Sequence, residues 1–103
     1  HMNKEVLRMK FGFDKQKLKE YGLNENYCLK QIRNYASKHN LVKIEKGVFD
    51  SSNLNNTEPF FFMIMKLPYT NWFLKVIKEW KFYFDNDIED CIKSYNDVVK
   101  RNA

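Results

Sequence analysis

The chain has few of the residues that build phosphate, metal or catalytic sites. Its 103 residues include three glycines, two cysteines and two histidines. No segment has the clustered glycines of a phosphate-binding loop, and none matches a nucleophile elbow or a metal-ligand motif. A catalytic site assembled from residues far apart in the sequence would leave no such motif. We expect a protein that is not an enzyme and that has no cofactor or metal.

The cysteines and the internal histidine have ordinary structural interpretations. Cys28 and Cys91 fall on apolar helical faces, outside any C-x-x-C pair and without a histidine at ligand spacing. We expect both to be reduced residues of the core. His39 lies on an apolar helix face near a C-terminus, where a packed histidine is far commoner than a catalytic base.

Long apolar runs are also absent. The longest, PFFFMIM at 59–65, has seven residues, whereas a helix that spans a bilayer needs roughly 20. No signal-peptide pattern opens the chain, and His1-Met2 has the form of a cloning scar. We therefore expect no membrane partner, a cytoplasmic location and one domain over residues 3–103.

Lysine is abundant, and the excess of positive charge lies in the first half of the chain. Residues 1–50 contain eleven Lys or Arg against six Asp or Glu, residues 51–103 contain seven of each, and the net charge is +5. A phosphate-binding face needs such an excess, although a solvated lysine-rich surface has the same composition. Fifteen lysines and twelve asparagines are typical of an AT-rich genome, as in a low-GC bacterium, its phages and plasmids, or a parasite.

Hydrophobic periodicity predicts three strands and four helices. The predicted strands are 7–13, 41–50 and 59–69, and the predicted helices are 14–21, 25–39, 70–84 and 86–101. Asp14 and Asn24 are the expected N-caps of the first two helices, and Gly22 is the expected C-terminal glycine between them. The polar segment 50–59 predicts a hairpin with a long tip that carries Asp50 and Glu58 and no basic residue.

Part of this order resembles a known reading head. Residues 17–50, KLKEYGLNENYCLKQIRNYASKHNLVKIEKGVFD, resemble the helix-turn-helix and first wing strand of winged-helix proteins, including plasmid replication initiators and AbiEi-type antitoxins. The matching positions are Gly22-Leu23-Asn24, Leu41-Val42-Lys43 and Lys46-Gly47-Val48-Phe49. The resemblance implies an α+β, winged-helix-like domain in which a strand, two helices and a β-hairpin precede two C-terminal helices. Residues 5–13 would add a third strand to the wing.

A ferredoxin-like fold is the alternative. If residues 14–39 form one broken helix, the order becomes β-α-β-β-α with an extra helix in place of the last strand. Because that fold hosts many unrelated functions, it would favour protein binding or regulation.

The outer face of helix 25–39 has the side chains that a DNA-reading helix needs. Such a helix offers donors and acceptors to base edges, and cations beside it contact phosphates. The candidates for base edges are Tyr27, Lys30, Gln31 and Asn34. The candidates for phosphates are Lys30, Arg33, Lys38 and Lys43, with Lys15, Lys17 and Lys19 on the preceding helix. We predict a non-catalytic regulator that reads duplex DNA with this helix, although a solvated helix surface would also be polar here.

A protein-binding function is the alternative from another class. A small phage- or plasmid-encoded inhibitor, such as an anti-CRISPR or another anti-defence protein, would bind a host protein or ribonucleoprotein. Its candidate surfaces are the wide aromatic stripe of helix 70–84 and the acidic residues at 85–90. Under either function, helices 70–84 and 86–101 are candidates for a homodimer interface.

Overall fold

Five antiparallel strands form a single sheet with the first strand at its centre. The computed structural model describes residues 7–51, 53–84 and 86–103. The strands are β1 (Arg8–Phe13), β2 (Leu41–Glu45), β3 (Val48–Ser51), β4 (Ile77–Phe84) and β5 (Asp87–Asp90), in the spatial order β2-β3-β1-β4-β5. The helices are α1 (Lys15–Glu20), α2 (Glu25–Lys38), α3 (Glu58–Lys66), α4 (Phe73–Val76) and α5 (Cys91–Arg101), with a 3-10 turn at Leu67–Tyr69. The α+β class is confirmed.

The side chains of the central strand β1 alternate between a buried face and an outer face of the sheet. Met9 and Phe11 are buried, whereas their neighbours in β1 are only half-buried, as the predicted alternation requires. Trp80 of β4 stacks on Phe11 with ring centroids 6.2 Å apart. Its buried indole N–H donates to the Met9 sulfur at 3.3 Å, so the largest core side chain keeps a hydrogen-bond partner.

The two predicted N-terminal helices are confirmed, with their caps. The Asp14 side chain accepts a hydrogen bond from the Lys17 backbone N–H, and the Asn24 side chain accepts from those of Asn26 and Tyr27. Gly22 lies between the helices with a φ of +64°, which glycine adopts without strain. α1 and α2 are therefore separate helices.

The prediction of one strand over 41–50 is wrong, because this segment folds back on itself. β2 and β3 pair as a tight hairpin in which Glu45 lies opposite Val48, so Lys46 and Gly47 form the turn. Gly47 has a φ of +75°, the backbone conformation that tight turns require and glycine supplies.

The prediction of a strand over 59–69 is also wrong. Pro59 lies in the first turn of α3, a position where proline is favoured. Phe60, Met63 and Leu67 are buried while Phe61 and Met65 are exposed, which is helical spacing. The sequence pattern could not decide this, because a short apolar run fits a strand and a buried helix equally well by periodicity. Since α3 takes the place of the second strand, the predicted long-tipped hairpin between 41–50 and 59–69 does not form.

The predicted helix over 70–84 is wrong except for the short helix α4, and the predicted helix over 86–101 is confirmed from Cys91 onward. Residues 77–84 form strand β4, because pairing with β1 places Trp80 opposite Phe11 and Phe82 opposite Met9 in the core. Residues 87–90 form strand β5, and α5 begins at Cys91. The Asp90 side chain accepts a hydrogen bond from the Lys93 backbone N–H at 3.2 Å, so Asp90 caps α5 and the helix begins later than the predicted residue 86.

Some predictions fall outside the described residues, namely the cloning scar at 1–2 and the contribution of residue 85 to the acidic patch. Within the described ranges, every helix is too short or too polar to cross a bilayer.

Candidate nucleic-acid interface

A basic groove of about 460 Å³ lies between helix α2 and the β2–β3 hairpin. Its helical wall consists of Asn26, Leu29, Lys30 and Arg33, and its hairpin wall consists of Lys43, Lys46, Gly47 and Phe49. Four of these eight residues are cations and none is acidic. We call this feature the basic groove.

Two local geometries bring the groove cations together. Lys30 and Arg33 lie one helical turn apart on the same stripe of α2, because residues three apart share a helix face. Lys43 lies opposite Phe49 in the β2–β3 register, and directly paired residues share a face of the sheet. Phe49 is buried in the core, so Lys43 projects from the face that α2 covers.

Three of the four groove cations are available to a ligand. Lys46 forms an ion pair with Glu25, in the first turn of α2, at 2.9 Å. Lys30, Arg33 and Lys43 are exposed, and in the described part of the chain they form no salt bridge. Unpaired cations around a concave surface concentrate anions such as phosphates.

Gly47 holds the hairpin against the centre of the sheet. Its carbonyl oxygen accepts a hydrogen bond from the Phe11 backbone N–H at 2.8 Å. A Cβ atom at Gly47 would lie 2.5 Å from the Phe11 carbonyl oxygen, so a larger residue would displace the turn. The Lys46–Glu25 ion pair ties the same turn to α2, and together these contacts set the width of the basic groove.

The acids of the hairpin lie on the outer face of the sheet, away from the groove. The pairing register shifts by one residue between Lys43 and Glu45, and this bulge leaves Ile44 and Glu45 together in an outer hollow that Arg8 also lines. Asp50 accepts two hydrogen bonds from the Arg8 guanidinium, at 2.7 and 2.9 Å. This hydrogen bonding is the main cause that raises the pKa of Arg8.

The expected acidic wing tip is therefore wrong. The hairpin tip is Lys46-Gly47, which carries one basic residue. Asp50 is paired on the outer face, and Glu58 begins helix α3.

The predicted site residues divide into three sets. The basic groove contains Lys30, Arg33 and Lys43. Helix α2 carries Tyr27, Gln31, Asn34 and Lys38 outside the groove lining, with Gln31 half-buried and the other three exposed. Helix α1 carries Lys15, Lys17 and Lys19, all exposed, and Lys17 forms an ion pair with Glu20 at 3.5 Å.

Sequence reasoning missed two polar groove residues, Asn26 and Lys46. Asn26 shares its helical stripe with Lys30 and Arg33, so helical spacing could have identified it. Lys46 precedes a glycine between two β-branched segments, and this turn signal could have placed it at a hairpin tip.

Both thiols are held in the protonated form that is a poor nucleophile. Burial is the main cause that raises the pKa of Cys91 to about 12, and burial also raises the pKa of Cys28. His39 packs against Phe62 with ring centroids 4.8 Å apart. Across the described residues, no group of three or more His, Cys, Asp or Glu side chains is arranged to hold a metal ion.

Comparison with known proteins identifies no relative. No protein-family model, curated protein or solved structure matches this chain. Its function has to be inferred from the chemistry of the basic groove.

Proposed function

We propose that this protein is a non-catalytic nucleic-acid-binding regulator that holds duplex DNA against the basic groove and the outer face of α2. The observation that carries the proposal is the convergence of Lys30, Arg33 and Lys43 on one groove without an acidic lining residue. These cations form no salt bridge among the described residues. Binding a phosphate backbone there releases the counterions of the DNA, which is the main source of non-specific affinity.

The exposed side chains of α2 supply groups that contact bases. Asn26, Tyr27 and Asn34 are exposed, and their amide and hydroxyl groups both donate and accept hydrogen bonds. The acid nearest to them on the helix, Glu25, is neutralised by Lys46. A negatively charged ligand therefore meets little repulsion along α2.

The order of elements supports a winged-helix-like reading head. β1, α1, α2, β2 and β3 follow one another in the chain, and β1 adds a third strand to the β2–β3 hairpin. In this arrangement α2 is the recognition helix that enters the major groove, and the hairpin is the wing beside it. Lys43 is then the wing residue that contacts the backbone, and Lys46 ties the tip of the wing to α2 through Glu25.

Inhibition of a host protein or ribonucleoprotein is the less supported function. It relied on acidic residues at 85–90 and on an aromatic stripe along a helix over 70–84, but Phe73 and Trp80 of that stripe are at most 1% exposed. These rings stabilise the core and are unavailable to a partner.

Fluorescence anisotropy across a salt series tests the proposal. We expect the purified protein to bind a mixed-sequence duplex, with an affinity that falls steeply as salt rises. A Lys30→Gln/Arg33→Gln/Lys43→Gln variant should bind about 100-fold more weakly at low salt, and its salt slope should be lower by about 3.

The matched control is Lys66→Gln/Lys78→Gln/Lys100→Gln, which removes the same charge from exposed residues outside the groove. This variant should keep most of the affinity and the salt slope. Equal losses in both variants, or no binding of the parent protein at low salt, would contradict duplex DNA binding by the groove. Single-stranded DNA and RNA of the same sequence are the competing ligands, and tighter binding of either one would contradict the duplex preference.

A further inference from the structure

A second groove, apolar in character, separates helix α5 from α3 and the 3-10 turn. Met65 and Tyr69 form one wall and are 66% and 84% exposed. Val98 and Val99 form the other wall and are 46% and 47% exposed. Contiguous exposed apolar side chains of this kind are typical of protein interfaces. We call this feature the apolar groove.

Helix α5 has a longer apolar stripe than the core covers. Cys91, Tyr95 and Val98 follow one another at helical intervals on the groove side of α5. Cys91 is buried and Tyr95 is half-buried, but Val98 is exposed. The stripe thus continues past the edge of the core, and its C-terminal half is free to pack against another surface.

Residues of opposite charge flank the two ends of α5. Glu89 lines the groove and precedes the first residue of the helix, and Arg101 is its last residue, next to Asn102 of the groove lining. Neither residue forms a salt bridge within the described part of the chain. The eleven residues of α5 correspond to a helix about 16 Å long.

This charge pattern is complementary to itself when a second copy is reversed. In an antiparallel pair of α5 helices, Arg101 of each copy lies within side-chain reach of Glu89 of the other. The helix dipoles also oppose one another in that orientation. Two identical patches related by a two-fold axis form a closed dimer, the commonest oligomeric state.

We propose that the apolar groove is a homodimer interface in which the α5 helices of two copies pack antiparallel. Val98 of each copy covers the apolar groove of the other, and two Arg101–Glu89 pairs close the ends. This interface replaces the one expected between helices over 70–84 and 86–101, because residues 77–84 belong to the sheet. It is independent of the proposed binding of DNA.

Charge-swap variants studied by sedimentation equilibrium test the dimer. Over protein concentrations of about 5 to 500 μM, the parent chain should shift from monomer towards dimer. Arg101→Glu or Glu89→Arg alone should weaken association at least about tenfold, because each variant places like charges together at both ends.

An equimolar mixture of these two variants should restore association. In the mixed dimer the two substituted side chains, which carry opposite charges, face each other at one end, and the unchanged Glu89 and Arg101 meet at the other. This rescue requires positions 101 and 89 to meet across the interface, and loss of folding cannot produce it. A mixture that associates no better than its components would overturn the antiparallel arrangement.

The apolar contact has its own variant and control. Val98→Asp should abolish the dimer while circular dichroism shows a folded chain. Val42→Asp, at a 52% exposed valine of the edge strand β2, should leave the dimer intact.

A parent chain that is monomeric at every concentration overturns the proposal. This holds even if the monomer binds a different protein through the apolar groove. The two proposals can fail separately. A monomer that binds DNA contradicts only the dimer, and a dimer that does not bind DNA contradicts only the proposed function.

Discussion

The outer face of the sheet and the basic groove both carry cations, and they differ in whether a carboxylate lies beside each cation. On the outer face, Arg8 pairs with Asp50 at 2.7 Å. Lys10 and Lys81 flank Glu79 at 3.7 and 3.8 Å. These cations neutralise acids of their own or of the neighbouring strand and leave little field for a phosphate.

In the basic groove the balance is reversed. Lys46 has an acidic partner, whereas Lys30, Arg33 and Lys43 have none among the described residues. The contrast teaches that the number of cations on a surface predicts ligand binding poorly. The surface field depends on whether the fold brings acids to the same place.

Charge reversal on each face should produce the largest difference. We expect Arg33→Glu/Lys43→Glu to weaken duplex DNA binding about 100-fold, because it replaces two phosphate contacts with repulsion. Lys10→Glu/Lys81→Glu makes the same change of charge on the outer face and should weaken binding less than about threefold. Anisotropy at one low salt concentration measures both variants. Similar losses would show that net charge, and not the groove, governs binding.

Replacing one glycine in each region by alanine should lower the free energy of unfolding by different amounts. Gly47→Ala should lower the free energy of unfolding by about 2 kcal/mol, because of the positive φ and the clash with the Phe11 carbonyl. It should also weaken DNA binding by moving the hairpin. In Gly12→Ala the new Cβ meets the Glu79 side chain at 3.3 Å, and we expect a change below about 1 kcal/mol. Urea denaturation compares them, and equal costs would contradict the close contact at Gly47.

The bidentate ion pair on the outer face should contribute to stability and not to binding. Asp50→Asn should lower the free energy of unfolding by about 0.5–1 kcal/mol, since the side chains of Arg8 and Asp50 are 39% and 20% exposed. Lys30→Gln, in the groove, should leave stability within about 0.5 kcal/mol of the parent. An Asp50→Asn protein that loses DNA affinity while still folded would break the distinction between the two faces.

The smallest effect is a gain of function. Glu25→Gln should free Lys46 in the basic groove, strengthen DNA binding about threefold and steepen the salt slope by about 1. Glu79→Gln frees Lys10 and Lys81 on the outer face by the same change of charge and should leave the slope unchanged. If both variants steepen it equally, the ligand contacts both faces.

Local signals predicted β1, α1, α2 and most of the C-terminal helix α5, and they failed for much of the chain between α2 and α5. Strand β1 and helices α1 and α2 follow from alternation, side-chain caps and Gly22, all of which act within a few residues. Residues 59–90 lack such signals. Their aromatic and aliphatic side chains fit a strand and a helix alike, and contacts with β1 select β4 from residues whose spacing also fits a helix.

The candidate site could be predicted to the same extent. Lys30 and Arg33 follow from the amphipathic pattern of α2, and Lys43 from its place after that helix. The groove itself depends on the turn at Gly47, which folds the hairpin back beside α2. Lys46 was missed because a strand without that turn places it far from Glu25.

The sequence by itself determined the excess of positive charge in residues 1–50 and the amphipathic helices that carry part of it. Only the tertiary structure decided which cations remain unpaired. Arg8 and Asp50 are 42 residues apart in the chain, and the register of β1 with β3 brings them together on the outer face. Charge and periodicity are local properties of a chain. Neutralisation depends on contacts between distant segments, and only the folded sheet makes those contacts.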